Sequence, residues 1–397
     1  MDIKTIDECF CQIRNGANIK QGISDGGYPI TRIETIANDR FNRNRMGYAG
    51  ITNLENYQSY VLEEGDLLMS HINSIQYLGR TVLYEKQGDE RIIHGMNLLC
   101  LKANKDIILP SYARYFFCTR YFREQVRAIT KKSVNQASFA VTDLKKLKIL
   151  VFPIDEQRHI VDMLDRAKKV MVLRQQELQK LDDLIKARFV EMFGAYPLNP
   201  MGWKKGTIRD VVADVRYGSS RPAVDGGKYP YLRMNNITYG GELDLSDVKR
   251  IDVPENELEK CTVRRGDVLF NRTNSKELVG KTCVYDRDEM MVLAGFVIRV
   301  RVNDLVLPEF LSAFLNTDFS KRTLLGMCKA AIGQANINAQ EMQSIGIYIP
   351  PIELQKEFVQ FKNQTDKSKV AVQKALDEAQ LLFDSLMQKY FGWGKEK

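Results

Sequence analysis

The chain is written twice, and that duplication limits its possible folds more than any other feature. The run Tyr60-Val-Leu-Glu-Glu-Gly65-Asp66-Leu-Leu68 returns as Thr262-Val-Arg-Arg-Gly266-Asp267-Val-Leu269. The match continues from Asn73-Ser74, Gly79 and Tyr84 to Asn274-Ser275, Gly280 and Tyr285, at a constant offset of 201 residues (266 − 65, 285 − 84). Each copy then ends in a long segment of heptad-like spacing, Pro153 to Gly194 and Pro351 to Gly392, at an offset of 198 (351 − 153, 392 − 194). A period near 200 residues is far too long for a solenoid repeat, so a whole domain with its own helix has been duplicated. Two similar domains joined by two similar helices suit a molecule that reads two similar things at a fixed separation.

Four blocks follow. Residues 1–153 mix short apolar runs with Gly, Asn, Pro and Asp, which predicts short strands, turns and some helix. Tyr28-Pro-Ile-Thr-Arg32-Ile and Leu67-Leu-Met-Ser read as strands, and Pro110 opens an amphipathic helix from its first turn. Residues 154–197 change pattern, with Leu164, Ala167, Met171, Leu178, Leu181, Ile185 and Met192 at alternating spacings of three and four. Arg174 and Arg188 interrupt that seam, and Gly194 and Pro197 stop it. A helix of about 35 residues spans roughly 50 Å, more than one small domain needs.

Residues 198–351 repeat the first block, Tyr229-Pro-Tyr-Leu-Arg233 echoing Tyr28-Pro-Ile-Thr-Arg32 and Leu307-Pro308 echoing Leu109-Pro110. Residues 352–397 repeat the helix, with Phe358, Phe361, Thr365, Val372, Leu376, Ala379, Phe383, Leu386 and Tyr390 on one stripe and Lys369 as its flaw. A stripe of that length needs a partner, and the second copy is the obvious one. Leu164, Met171, Leu178, Leu181 and Ile185 are then expected to face Val372, Leu376, Phe383 and Leu386 in a left-handed coiled coil. The expected fold class is α+β: two pseudo-repeated α/β domains, each followed by a long helix, the helices pairing with each other.

The 58 Lys and Arg against 50 Asp and Glu give a net charge of +8, which fits an anionic partner. The opening MDIKTIDECF has no basic region followed by an apolar one, and no apolar stretch is long enough to span a bilayer. The seven cysteines are scattered and odd in number, so reduced thiols in a cytoplasmic setting are expected, with no membrane association. Cys9 and Cys11 are the one close pair, and without a second pair at similar spacing no metal site is expected.

Enzymatic signatures are scarce. Gly280-Lys281-Thr282 resembles the end of a phosphate-binding loop, but Ser275 stands where that motif needs glycine. Its repeat partner is Gly79-Arg80-Thr81, so both read as tight turns placing Lys281 and Arg80 near a backbone phosphate. His71, His94 and His159 lack partners at metal or triad spacing, and His71 beside Asn73 is the one of interest. Gly65-Asp66 and Gly266-Asp267 supply turn geometry before an apolar strand.

The polar segments after those strands differ: Ser70-His71-Ile-Asn73-Ser74 in one copy, Asn271-Arg272-Thr273-Asn274-Ser275 in the other. Arg, Asn and Gln pair bidentately with guanine or adenine edges in the major groove. A second candidate set is Arg14, Arg216, Ser219 and Arg221, followed by Arg32 and Arg233. A third is Lys131, Lys132, Asn135 and Gln136, with Lys329, Gln334 and Asn336 in the second copy. Basic residues there would sit on phosphates, which position a protein without carrying sequence information.

Taken together, the chain resembles a specificity subunit of a type I restriction–modification system. The resemblance rests on the duplicated Gly-Asp-(Leu/Val)-Leu strand with its Asn-Ser and Gly, and on the Tyr-Pro-x-x-Arg runs. It rests also on the helix entries Phe152-Pro-Ile-Asp-Glu-Gln157 and Pro350-Pro-Ile-Glu-Leu-Gln355, and on the endings Met-Phe-Gly194 and Tyr-Phe-Gly392. It covers essentially the whole chain. It implies two target recognition domains, each reading half of a split, asymmetric DNA site, and an antiparallel coiled coil that separates them. That coiled coil would dock methyltransferase subunits, two of them, with restriction subunits joining afterwards. S-adenosylmethionine, ATP, Mg and the catalytic residues would belong to those partners, so this chain is expected to be non-catalytic and to bind no cofactor. One departure is the short stretch before Arg14, where the second copy has Pro200-Met-Gly-Trp203 upstream. The competing readings are a coiled-coil scaffold blind to DNA sequence and a standalone DNA-modifying enzyme.

Overall fold

The computed structural model describes residues 1–22, 26–132, 136–328 and 335–392, with Asn38 described by its backbone alone. Packing divides the chain into two units, Met1–Leu173 with Ala375–Lys397, and Arg174–Lys374. The helical blocks are therefore shared out. Each unit holds one α/β block together with part of both long helices.

In the first unit a four-stranded antiparallel sheet runs in the order Phe10–Asn15, Leu98–Ala103, Leu67–Ser70, Thr81–Leu83. Its inner strand Leu67–Ser70 is buried at all four positions, because both of its faces are covered. Leu67 and Met69 join a core with Tyr112, Phe116 and Ile160, whereas Leu68 joins Val82, Tyr84 and Leu98 on the opposite face. The alternation expected of a strand thus separates two apolar clusters.

The second unit repeats this sheet in the order Val212–Tyr217, Val297–Val302, Val268–Asn271, Thr282–Val284. Val268 and Phe270 face the core of Phe189, Phe310 and Phe358, and Leu269 faces Tyr285 and Leu293. Both outer strands carry a register shift at the same place, between Phe10 and Gln12 and between Val212 and Asp214. Gly65 and Gly266 turn into the inner strands at φ 90° each, where a side chain would be strained. The following carboxylates close those turns, Asp66 Oδ2 accepting from Glu63 N and Asp267 Oδ2 from Arg264 N, both at 2.9 Å.

The long helices run Ile154–Phe193 and Ile352–Phe391, 40 residues each. Their entry sequences have a specific job. Gln157 is fully buried; its Oε1 accepts Leu109 N at 2.8 Å, and its Nε2 donates to the carbonyls of Ile107 and Phe152 at 2.8 and 2.7 Å. Gln355 does the same for Leu307 N, Leu305 O and Pro350 O at 2.8, 3.0 and 2.9 Å. A glutamine amide is the side chain able to satisfy one donor and two acceptors at once. Each clamp fastens the start of a long helix to the loop before the helix that Pro110 or Pro308 opens.

Within the second unit the two helices run antiparallel. Phe189 packs on Phe358 at 5.3 Å, the Arg188 guanidinium lies 5.7 Å over Phe361, and Asp182 pairs with Lys369 at 2.6 Å. In the first unit, Phe152 meets Tyr390 at 6.2 Å, and Tyr115 touches Phe383 at 6.2 Å while donating to Asp165. Leu164 and Val372 are buried; Met171, Leu178, Leu181, Ile185, Leu376, Phe383 and Leu386 are half-buried. The flaw in the stripe has partners: Lys369 forms ion pairs with Asp182, Glu242 and Asp366. Burial opposes its charge, but the hydrogen bonds to Asp182 and Glu242 outweigh that and raise its pKa.

One strand expectation changes. Tyr229–Leu232 is a strand in a second four-stranded sheet with Lys249–Ile251, Met291–Leu293 and Thr262–Val263. Its counterpart Tyr28–Ile33 is not a strand; Ile30 alone bridges to Gly47 and Ile93. The segment is nonetheless packed, Ile30 being fully buried with Ala17, Leu54 and Ile93, and it enters a 3-10 turn at Ile33 before a ladder can extend.

Candidate nucleic-acid interface

Each central sheet ends in an edge where the inner strand leaves the ladder. In the second unit Asn271 closes the strand, fully buried, with Oδ1 accepting from Thr273 N at 3.2 Å. Arg272 then steps out. Its amide donates to Phe296 O at 3.0 Å and its carbonyl accepts from Ile337 N at 2.9 Å, so both sides of the residue are fixed. The guanidinium lies 4.9 Å over the Tyr217 ring, and the Tyr217 hydroxyl accepts from Ala339 N at 2.9 Å. Such a stack holds a cation on a flat platform while its remaining donors stay available. Thr273–Asn274 pairs with Ala335–Asn336, and Thr273 Oγ1 donates to Asn336 Oδ1 at 3.2 Å.

The first unit builds the same edge from different residues. His71 takes the place of Arg272 (272 − 201); its carbonyl accepts from Phe139 N at 3.2 Å and its ring meets Phe139 edge-on at 6.3 Å. Arg14 lies 4.8 Å over Tyr60, and buried His94 contacts Leu98 O through Nε2 at 2.8 Å. Burial holds both His71 and His94 down to about 4, so both rings are neutral near pH 7.

The edges have one further property in common. Arg14 Nε, His71 Nδ1 and His94 Nδ1 in the first unit, and Asn271 Nδ2 and Arg272 Nε in the second, are buried nitrogens without a protein partner. Unpaired buried polar groups are uncommon, and five of the ten found among the described residues lie at these two edges, the others being at Arg188, Arg233, Arg299, Asn316 and Tyr348.

The remaining candidates are spread more widely. Asn73 and Asn274 each accept from the next residue's amide, Ser74 N and Ser275 N, at 2.8 Å, so the Asn-Ser pairs make turns. Lys281 is buried and donates to Met234 O at 2.9 Å, its pKa lowered by burial. Enclosure leaves Asn271 and Lys281 as supports of the edge. Ser219 is buried too, its Oγ accepting from Arg221 N at 3.2 Å. Arg80 lies over Tyr77 and pairs with Asp39 at 3.1 Å. Arg32 donates to Gln21, Arg216 pairs with Asp214, Arg221 with Glu257 and Arg233 with Asp247. Lys131, Lys132, Gln136 and Asn336 are exposed, Lys131–Lys132 pairing with Ala137–Ser138. Asn135, Lys329 and Gln334 lie outside the described residues.

Sequence reasoning missed the two tyrosine platforms and Phe296. The signal was present in Arg216-Tyr-Gly218, where an aromatic sits among basic and small residues. Among the described residues no group of three or more His, Cys, Asp or Glu is placed to hold a metal ion, and no helix is long and apolar enough to cross a membrane.

The model of the type I restriction modification DNA specificity domain matches this chain twice, over residues 2–183 and 200–379. The chain belongs to that family. It is the specificity component of a type I system and not a catalytic one. A putative type I restriction enzyme MjaX specificity subunit from Methanocaldococcus jannaschii is 34% identical over 378 residues, spanning 89% of this chain and 84% of the relative. Two solved structures share the fold. One is a chain from work on complex assembly and conformational transition of the type I R-M system, with a TM-score of 0.58, 18% identity, and 98% and 97% of the two chains covered. The other is the type I restriction–modification S subunit from M. genitalium, with a TM-score of 0.55, 14% identity, and 98% and 96% covered. The two matched segments of the specificity domain each contain one of the edges built above, and each runs into one of the two long helices.

Proposed function

We propose that each unit reads one half of a bipartite, asymmetric DNA site through the edge of its central sheet. In the second unit Arg272 on Tyr217 addresses base edges. In the first, Arg14 on Tyr60 and neutral His71 and His94 take that place. The observation that supports this most is the coincidence of unpaired nitrogens at equivalent edges whose side chains differ. Different donors read different bases, which makes the two half-sites unlike. Lys131, Lys132, Arg216, Arg221 and Asn336 would position the duplex through its phosphates.

The paired helices set the spacing between half-sites and dock two methyltransferase subunits, and restriction subunits complete the assembly. S-adenosylmethionine, ATP and Mg belong to those partners. The formal charge of +8 favours salt-dependent association with DNA.

The test is Arg272→Ala in the complex with methyltransferase subunits. Recognition of one half-site should weaken by ~10- to 100-fold while the other is unaffected, the range expected for a bidentate base contact. A uniform loss on all sequences would make Arg272 a phosphate contact. Salt-independent binding blind to sequence would leave only a scaffold. Methylome sequencing of cells carrying the complex would name both half-sites, and deletion of one heptad from both helices should change the spacer between them.

A further inference from the structure

Of the 18 phenylalanines in the chain, Phe296 is the only exposed one among the described residues, at 52%. It lies in the short connection between strands Met291–Leu293 and Val297–Val302. Its backbone is held firmly on every side. Phe296 O accepts from Arg272 N at 3.0 Å, Gly295 N donates to Ser219 O at 2.7 Å, and Val297 N donates to Ala294 O at 2.9 Å. The exposed side chain thus leaves a fixed frame whose backbone is bonded to that of Arg272, the residue stacked on Tyr217. Leaving a phenylalanine in water forgoes the stabilisation that burial would give, and nothing in the core of this unit depends on it.

The corresponding connection of the first unit has Asn97 at the position of Phe296 (offset 199, 296 − 97), with exposed Met96 one residue before it. Asn15 likewise stands for Tyr217 and His71 for Arg272, so all three side chains of this corner differ between the copies. In a major groove the apolar feature open to Phe296 is the 5-methyl group of thymine, and the feature open to Arg272 is the O6 and N7 edge of guanine. Residues 272 and 296 are hydrogen-bonded backbone neighbours, so one stretch of duplex meeting Arg272 also meets Phe296.

We propose that Phe296 is a specificity-determining residue. It packs on the 5-methyl group of a thymine one step from the guanine read by Arg272. This rests on the DNA-reading function proposed above. It adds that the half-site of the second unit contains neighbouring G·C and A·T pairs.

The experiment uses the complex with methyltransferase subunits and duplexes carrying the site found by methylome sequencing. Each thymine of the relevant half-site is replaced in turn by uracil, which lacks the methyl group. One replacement should weaken binding about fourfold, the worth of burying one methyl group. Phe296→Ala should bind that uracil duplex and its thymine parent equally, with thermal stability unchanged because the side chain is exposed. Phe296→Leu should restore part of the preference.

Three results would overturn the proposal: a half-site without an A·T pair, no uracil effect at any position, or a uracil effect that survives Phe296→Ala. A ring inserted between base pairs would instead show as 2-aminopurine fluorescence that Phe296→Ala removes, without thymine dependence, and that too would overturn it. Loss of all sequence selectivity in the unmodified complex would be a different failure, that of the DNA-reading function itself.

Discussion

Set side by side, the two units agree on one face of their central sheets and part company on the other. On the face toward the long helices the match is close to atomic. Gly65 and Gly266 share φ 90°, Gly79 and Gly280 have φ 76° and 77°, Thr119 and Thr317 both cap a helix, and Gln157 and Gln355 make the same three bonds. On the far face the second unit has a complete four-stranded sheet, and the first has isolated bridges. Cys100 in one strand is answered by Arg299 in the other (offset 199, 299 − 100), an apolar thiol against a buried charge. The lesson concerns constraint. A face that must meet a helix stripe can change little after duplication, whereas a face that meets only its own loops can be rebuilt.

The sharpest test of the shared face is the pair of glutamine clamps. Gln157→Ala and Gln355→Ala should each destabilise their own unit by roughly 4 to 6 kcal/mol, because three buried backbone groups lose their partner. Urea unfolding followed by unit-specific probes measures both. Clearly unequal losses would break the equivalence of the two faces.

The divergent face should behave asymmetrically. Arg299 Nη2 donates to Asp214 at 2.9 Å and its Nη1 donates to the Glu259 and Thr262 carbonyls. Arg299→Ala should cost about 3 to 4 kcal/mol, since those buried carbonyls lose a charged donor. Cys100→Ala should cost about 1 kcal/mol, the removal of a small buried group. Equal costs in thermal melts would refute the contrast.

Acid should also separate the units. His71 and His94 titrate in the fold near 4 because they are buried, below the ordinary histidine value of about 6.5 in the unfolded chain. Between those values the unfolded chain takes up protons that the fold does not. Stability is therefore full above about pH 6.5 and falls as pH drops toward 4. At pH 5 the loss should be about 2 kcal/mol per histidine. The second unit has no histidine at all, as the three are His71, His94 and His159. Hydrogen exchange at pH 7.5 and pH 5 should show protection falling in the first unit ahead of the second; parallel loss in both would count against it.

The smallest effect is expected at Lys369, whose counterpart at the 198-residue offset is Met171. Lys369→Met should change stability by at most about 1 kcal/mol, since Asp182 and Glu242 keep access to water. A loss above about 3 kcal/mol in a urea titration would mean that the ion pairs hold the helices together and do more than tune their register.

Much of this architecture was legible in the sequence, because periodicity reports burial directly. The seam positions from Leu164 to Met192 and from Phe358 to Tyr390 are all buried or half-buried, and Lys369 reads from the sequence as the flaw in its stripe. The edges were less legible. Asn, Ser and Lys serve turns and base pairs alike, and their role depends on what the chain brings to them from far away. Lys281 looks like a phosphate ligand until Met234, 47 residues distant, supplies its carbonyl. Arg272 gains its platform from Tyr217, on a different strand of the same sheet. The Tyr28 run has a strand's composition and a neighbour on each side, but its pairing stops at Ile30 because a 3-10 turn begins at Ile33.

The allotment of the chain between the units bears on how it is born. Phe391, 2% exposed, lies in the core of the first unit against Tyr112 and Phe116, at 5.2 and 6.4 Å. A nascent chain emerging amino-terminus first therefore cannot complete the first of these two units until Phe391 has left the ribosome. Until then the apolar surface around Tyr112 waits uncovered, and any protein bearing a similar helix could occupy it. Premature termination after residue 374 would damage the amino-terminal domain most, far from the break in sequence.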